Sequence, residues 1–423
     1  MTEQIFKNYR AILEQELIPA MGCTEPIALA YAAAKGRELL EELPDRVLIQ
    51  ASGSIIKNTK SVVVPNTGHM RGIPAAVAAG IVGGHAELEL EVLSKMTEAQ
   101  IEALQTYLTQ TPMVVEPLED GHVFDIFLTL SAGAETAQVR ITDYHTNIVY
   151  LCKNGQVLLD KTTDTEGTGQ SQEGILMTME DIWTFANEVD LDAIRPVIQR
   201  QIDCNWAIAQ EGMVQKYGAN IGKVLKDTYG EEIHNLACAM AAAGSDARMN
   251  GCELPVVVNS GSGNQGMTVA VPILVYAKYL SVSEETLLRA LVLANLIAIY
   301  EKTGIGRLSA YCGAVSAGAA AGAGVAYLHG GDYDTVIHTV VNSLAASSGI
   351  VCDGAKASCA AKIALSVYSG LLGYEMYKRG QQFYAGDGIV ACGVEATLKN
   401  VGELASKGMY ETNNEIIRMM TTC

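Results

Sequence analysis

Residues 312–328 carry no charge and are dominated by alanine and glycine. The run is nearly long enough to cross a membrane, yet such small side chains supply little transfer energy. It therefore predicts a buried, closely packed core helix. Helices are also expected over 333–346 and from the 352–359 stretch to about 377, so most of the second half is packed, small-residue helix. With 423 residues and 49% hydrophobic content, the chain can form a large core and more than one domain.

Cysteines interrupt this bundle at helix ends and joints. Tyr311-Cys312-Gly313 opens the uncharged run, and Val351-Cys352-Asp353-Gly354-Ala355-Lys356-Ala357-Ser358-Cys359 follows the next helix. Glycines and small residues around a thiol let backbone approach a metal centre closely. If Cys352 and Cys359 share a helix they lie about 10 Å apart along its axis, too far for one zinc ion with bonds of roughly 2.3 Å. No close C-x2-C pair is present. Three thiolates on a four-iron cluster are the better fit, with one iron left open as a Lewis acid. Spacing alone leaves a second reading level with this one: three buried small hydrophobes. Cys423, the last residue, is a candidate cap for the open iron, and Cys152, Cys204, Cys238, Cys252 and Cys392 carry no ligand spacing.

Near the start, Met21-Gly22-Cys23-Thr24-Glu25-Pro26 reads as a helix start, with Thr24 as capping hydroxyl, Pro26 in the first turn and a helix to about Leu40. Cys23 would then sit at the positive end of a helix dipole, where its thiolate is favoured as base or nucleophile. Residues 46–52 alternate as a strand. The turn Asn66-Thr67-Gly68-His69-Met70-Arg71-Gly72 precedes an alanine-rich helix starting near Ile73, and its amides are candidates for a carboxylate. Ser-Gly-Ser occurs at 52–54 and again at 260–262, so two related loops could face one site.

These segments, Cys23-Thr24-Glu25-Pro26 and Gly349-Ile350-Val351-Cys352-Asp353-Gly354 above all, with Ser309-Ala310-Tyr311-Cys312-Gly313, resemble the L-cysteine desulfidase family, which is related to the alpha chain of iron-sulfur L-serine dehydratases. The resemblance implies a [4Fe-4S] enzyme that removes sulfide from L-cysteine and leaves pyruvate and ammonia. It implies Cys312, Cys352 and Cys359 as metal ligands and Cys23 as the base. Loop chemistry adds Thr24, Glu25, Asn58, Thr67, Gly68 and Asn264 as contacts for the amino-acid substrate. L-serine as substrate is the nearest alternative, because one scaffold and cluster would serve both. A pyridoxal-phosphate lyase is another, using Lys57 in Ser54-Ile55-Ile56-Lys57-Asn58 and a phosphate cup at 261–266. A redox sensor would need a signalling module, and none is recognisable.

The expected fold is mainly α: a helical catalytic core from 1–86 and 166–423, with an inserted small α+β domain at 87–165. In that insert a helix over 97–108 precedes strands near 113–116, 123–130, 137–143 and 147–152, around turns at Asp120-Gly121 and Asn154-Gly155. His122 and His145 read there as strand or turn residues, and 161–172 as a linker. A net charge of −18 disfavours nucleic acid and anionic membranes as partners, and an anionic substrate would need a local positive feature. Ten cysteines without a leader-like N-terminus point to the reducing cytoplasm, and a homodimer is left open.

Overall fold

The computed structural model describes residues 2–118, 122–162 and 177–421. The chain runs through α1 (Glu3–Glu16), β1 (Pro19–Met21), α2 (Thr24–Leu40), β2 (Arg46–Ser52), α3 (Gly53–Thr59), α4 (Gly72–Gly83) and α5 (Glu98–Gln110). Five strands follow: β3 (Met113–Leu118), β4 (Asp125–Ala132), β5 (Glu135–Thr142), β6 (Ile148–Lys153) and β7 (Gln156–Asp160). The remainder is helical apart from one short strand: α6 (Met179–Glu188), α7 (Leu191–Val214), α8 (Ile221–Tyr229), α9 (Ile233–Met249), β8 (Pro255–Val257), α10 (Gly263–Leu280), α11 (Glu284–Ile305), α12 (Gly313–Leu328), α13 (Tyr333–Ser347), α14 (Cys359–Lys378), α15 (Val394–Glu403) and α16 (Tyr410–Thr421). The fold is mainly α with an α+β portion, as the sequence predicts. Among the described residues no helix is long and apolar enough to cross a membrane.

Among the described residues two large hydrophobic cores divide the molecule, with a small third cluster around Cys23. One joins α1 to the helices from α6 onward, and the other joins α2, α4 and α5 to the sheet. The sheet order is β3-β2-β4-β5-β6-β7, with β2 and β3 parallel and the other pairs antiparallel. Because β2 lies inside this sheet and α2 packs on β4 and β5, the α+β unit begins well before residue 87. The sequence reading, which took 46–52 as a strand, cut there because nothing in that strand shows that its partners come only after residue 110. The proline-containing β3 and the short β7 occupy the edges, where a missing amide donor is tolerated.

Glycine sets the spacing inside the helical lobe. A Cβ on Gly370 of α14 would stand 2.0 Å from the Gly318 carbonyl oxygen of α12, and one on Gly322 would stand 2.3 Å from the Gly370 oxygen. Gly318 in turn meets Ser366, so the register offset stays constant and α12 and α14 run parallel with their backbones in contact. The buried 312–328 helix is thus explained: at Gly318, Gly322 and Gly370 no side chain larger than hydrogen fits the seam. Parallel packing also brings the starts of both helices, Cys312 and Cys359, to one end.

The antiparallel pair β1–β8, with Ala20 opposite Val256, ties the two lobes together and brings the start of α2 beside the turn that opens α10. Both Ser-Gly-Ser segments serve as helix starts, Ser52 capping α3 and Ser262 capping α10. Three local expectations change. α14 begins at Cys359, so Cys352 and Cys359 do not share a helix; residues 352–358 form a turn. The 52–60 segment, read as a loop, contains α3. The stretch 179–217, whose apolar face predicts one continuous helix, instead breaks into α6 and α7 at Asp190, whose carboxylate caps the second. The Asp120-Gly121 turn and most of the 161–172 linker lie outside the described residues.

Candidate active site

The three thiols of the sequence motif meet at the end of the helical lobe. An isolated bridge pairs Tyr311 with Val351; the Cys312 amide donates to the Ile350 carbonyl at 3.1 Å and the Cys352 amide to the Ala310 carbonyl at 2.6 Å. Cys359 opens α14, its thiol 3.7 Å from the Gly354 carbonyl. Burial pushes the Cys312 thiol up to about 12, with the Cys352 and Cys359 sulfurs adding to it, and burial raises Cys359 as well. Cations surround the group. Lys57 of α3 is buried, and its ammonium donates to the Cys352 carbonyl at 3.3 Å, the Ser309 carbonyl at 3.4 Å and Asn413 Oδ1 at 2.8 Å. Lys302 is buried within electrostatic reach of Cys352 and Cys312, and burial lowers its ammonium to about 8. Burial alone would raise the Asp353 carboxyl, but Lys356 and Lys362 bracket it and hold it at about 2.

Cys23 joins this cluster, packing with Val62 and Met249 against Ala355 and Cys359. It is the N-cap residue of α2, a place the sequence reading gave to Thr24, and its side chain makes no capping bond. Its thiol instead donates to Glu25 Oε2 at 3.1 Å. Complete burial and the Glu25 carboxylate raise it well above an ordinary thiol, so the expectation that the helix dipole favours its thiolate does not hold in this structure. Desolvation of a charged sulfur outweighs the fraction of a charge at a helix end. Glu25 is held from its other side by Asn58 Nδ2, 3.2 Å from Oε1. The Thr24 hydroxyl donates to the Gly261 carbonyl at 2.9 Å and lies 3.2 Å from Glu25 Oε2.

Asn264 sits in the first turn of α10, Nδ2 3.6 Å from the Met249 sulfur, while its buried Oδ1 has no partner among the described residues. Thr67 and Gly68 are not brought to the thiols. The Thr67 hydroxyl is used up in its own turn, donating to Val64 O at 2.7 Å and accepting from the Met70 amide at 3.2 Å. Gly68 is exposed near Ile101 of α5. Cys423 lies outside the described residues. Lys57, required by the pyridoxal alternative, has its amine committed to three acceptors.

Three residues that sequence reasoning passed over line the same place. Gln265 lies against Gly313, where an added Cβ would come within 2.6 Å of it, and its buried Oε1 is unpartnered. His145, at the β5–β6 turn, packs edge-on against Phe124 and sits beside Gly261, in electrostatic reach of Glu25. Burial keeps it neutral, its pKa near 4, and its Nε2 is unpartnered. Arg248, near the end of α9, is 2% exposed and makes no hydrogen bond or ion pair among the described residues. Gln265 stands in the 261–266 loop beside Asn264, which could have pointed to it, whereas His145 and Arg248 stand in no motif and only packing reveals them. A cleft of about 740 Å³ between the lobes is lined by Ser54, Tyr144, Ser260, Lys302, Arg307 and Asn413, with Ala310, two residues before Cys312, in its wall.

Residues 87–418 match the family of the serine dehydratase alpha chain. The chain belongs to that family. It is also 51% identical to a UPF0597 protein of Desulfitobacterium hafniense over 99% of this chain and 97% of the relative, and 46% identical to one of Lachnoclostridium phytofermentans over 98% and 100%. A Shewanella relative is 37% identical over 99% of both chains. The serine dehydratase alpha-chain family is one of lyases and is associated with iron-sulfur serine dehydratase.

The donor set of this family member suits such a group. Among the described residues, no three Cys, His, Asp or Glu side chains converge tightly enough for a single metal ion. The thiols instead span two turns and a helix start. Gly354 passes so close to α3 that a Cβ would stand 2.3 Å from the Lys57 carbonyl, leaving its turn without room for a side chain. Lys57, Lys302 and Lys362 supply positive charge around thiols that must ionise to bind iron.

Proposed function

We propose that this chain is an iron-sulfur-dependent lyase that eliminates sulfide from L-cysteine, giving pyruvate and ammonia. The observation that carries the reading is that Cys312, Cys352 and Cys359 lie within electrostatic reach of one another, with Cys359 packed against the Cys23 that bonds Glu25, in a member of a lyase family. A [4Fe-4S] cluster held by the three thiolates would supply a Lewis-acidic iron for the leaving group.

The chain's own residues would handle the proton. Glu25 Oε2 takes the proton from Cys23 Sγ, and the sulfur then takes the Cα proton of the substrate. The C–H electron pair forms the Cα=Cβ bond, the Cβ–S bond breaks, and sulfur leaves with its electrons as hydrosulfide. Released aminoacrylate tautomerises and hydrolyses in water. Asn58 and Thr24 fix the carboxylate that receives the proton, and Asn264 and Gln265 present unpartnered oxygens that suit a substrate ammonium.

L-serine is the second reading, favoured by the family name; it differs only in whether hydroxide or hydrosulfide leaves. Anaerobically purified protein should contain iron and acid-labile sulfide and release sulfide from L-cysteine faster than it releases pyruvate from L-serine. Alanine at Cys312, Cys352 or Cys359 should abolish both iron and turnover. Cys23→Ala should keep its iron while turnover and exchange of the Cα proton slow by about 10²- to 10⁴-fold. Iron retained in all three ligand variants would remove the cluster, and iron lost with Cys23 would make it a ligand instead of the base.

A further inference from the structure

Arg248 is a buried cation with no ion-pair partner among the described residues. Its guanidinium cannot shed its proton, and an isolated charge away from water is costly unless an anion pairs with it. Among the described residues it has no hydrogen bond or ion pair, and its Nε is sealed from solvent without a partner. Room for it is made by a glycine: a Cβ on Gly263 would stand 2.4 Å from that Nε. Met249, the next residue, packs against Cys23, and the Arg248 charge is felt at both Cys23 and His145. Asn264, with its unpartnered oxygen, adjoins Gly263 on the same turn.

We propose that Arg248 binds the α-carboxylate of the amino-acid substrate, and is thus the residue that restricts this site to free amino acids. The proposal rests on the reading of the site as an amino-acid lyase and adds the subsite that fixes the substrate's orientation. The planar fork of a guanidinium matches a carboxylate through two parallel N–H···O bonds. With the carboxylate on Arg248 and the ammonium on Asn264, the Cα–H would face Cys23 and the side-chain sulfur would face the three thiols. Arg248 also supplies the local positive feature that a chain of net charge −18 needs to hold a carboxylate.

The test compares L-cysteine with its methyl ester, which keeps the ammonium and thiol but has no carboxylate charge, in wild-type protein and in Arg248→Gln and Arg248→Lys. Wild-type kcat/KM should favour the acid. In Arg248→Gln it should fall for the acid by roughly 10²- to 10³-fold, mostly through KM, and stay nearly unchanged for the ester. Arg248→Lys should recover part of the loss. Equal loss for acid and ester, or no loss, would overturn the assignment. Calorimetric titration of wild-type protein with L-alanine and with alaninamide provides a readout independent of turnover. If the protein lacks lyase activity but binds the acid and rejects the amide, the lyase reading fails and the carboxylate subsite stands; equal binding of acid and amide overturns the subsite. The same titration decides the matter should Arg248→Gln not fold.

Discussion

Lys57 shows how one side chain organises its surroundings here. Its ammonium joins carbonyls from both ligand-bearing turns, at Ser309 and Cys352, to Asn413 of the C-terminal helix. Lys57→Met would leave these acceptors without a donor, at a cost of about 1–3 kcal/mol for each group that water cannot reach. The expected result is a lower melting temperature together with faster iron loss to a chelator; unchanged iron retention would show that the turns hold themselves. Glu301 poses a different problem. It is sealed in the helical core near the Ser316 hydroxyl, and burial raises its carboxyl well above the ordinary value of 4.5. The folded state therefore keeps a proton that the unfolded chain releases, so this group's contribution is complete below pH 4.5 and declines as pH rises toward its folded value. Glu301→Gln should flatten that decline, gaining stability relative to wild type at pH 8 more than at pH 5, as measured by chemical denaturation. The cysteines were legible in the sequence because thiols among glycines are rare. Glu301 and Arg248 were not, because one charged residue inside a helix looks alike whether it faces water or core.

At the scale of elements, the parallel contact of α12 and α14 fixes two of the three ligand positions. Gly370→Ala would drive a methyl group into the Gly318 carbonyl and push the helices apart, a strain costing typically 1–3 kcal/mol and more where backbone cannot yield. We expect soluble protein with a lowered melting temperature and little iron. Gly349→Ala, with nothing near the added methyl, should match wild type in both. Equal behaviour of the two variants would mean that the seam is not what spaces the ligands. The small-residue texture of these helices was readable from composition, and so was their burial. Which helix touches which was not, since pairing depends on contacts far apart in sequence. α3 was missed for a related reason: seven residues cannot display a helical period, and the cap at Ser52 resembles an ordinary turn. The boundary at 87 failed because strand β2 is completed only by β3 and β4.

Across the whole molecule, the site lies where the two cores meet, and each lobe brings different chemistry: the α+β lobe contributes Cys23, Glu25, Lys57 and Asn58, and the helical lobe the three ligand thiols and Arg248. The β1–β8 pair is a short link between them. Substituting proline for Ala20 or Val256 in that pair should reduce turnover far more than iron content, because the ligand set stays within one lobe; equal loss of both would show that the lobes form a single cooperative unit. The glycine seam, finally, implies an order of assembly. Cys312 and Cys359 sit on the ends of helices whose separation cannot vary, whereas Cys352 hangs on a turn held by a few hydrogen bonds. A metal-free chain should thus keep two anchor points at fixed separation and let the third swing, so that the last ligand closes over whatever has already docked. Hydrogen exchange would record this as protection gained on loading over 350–358 and little change along the seam.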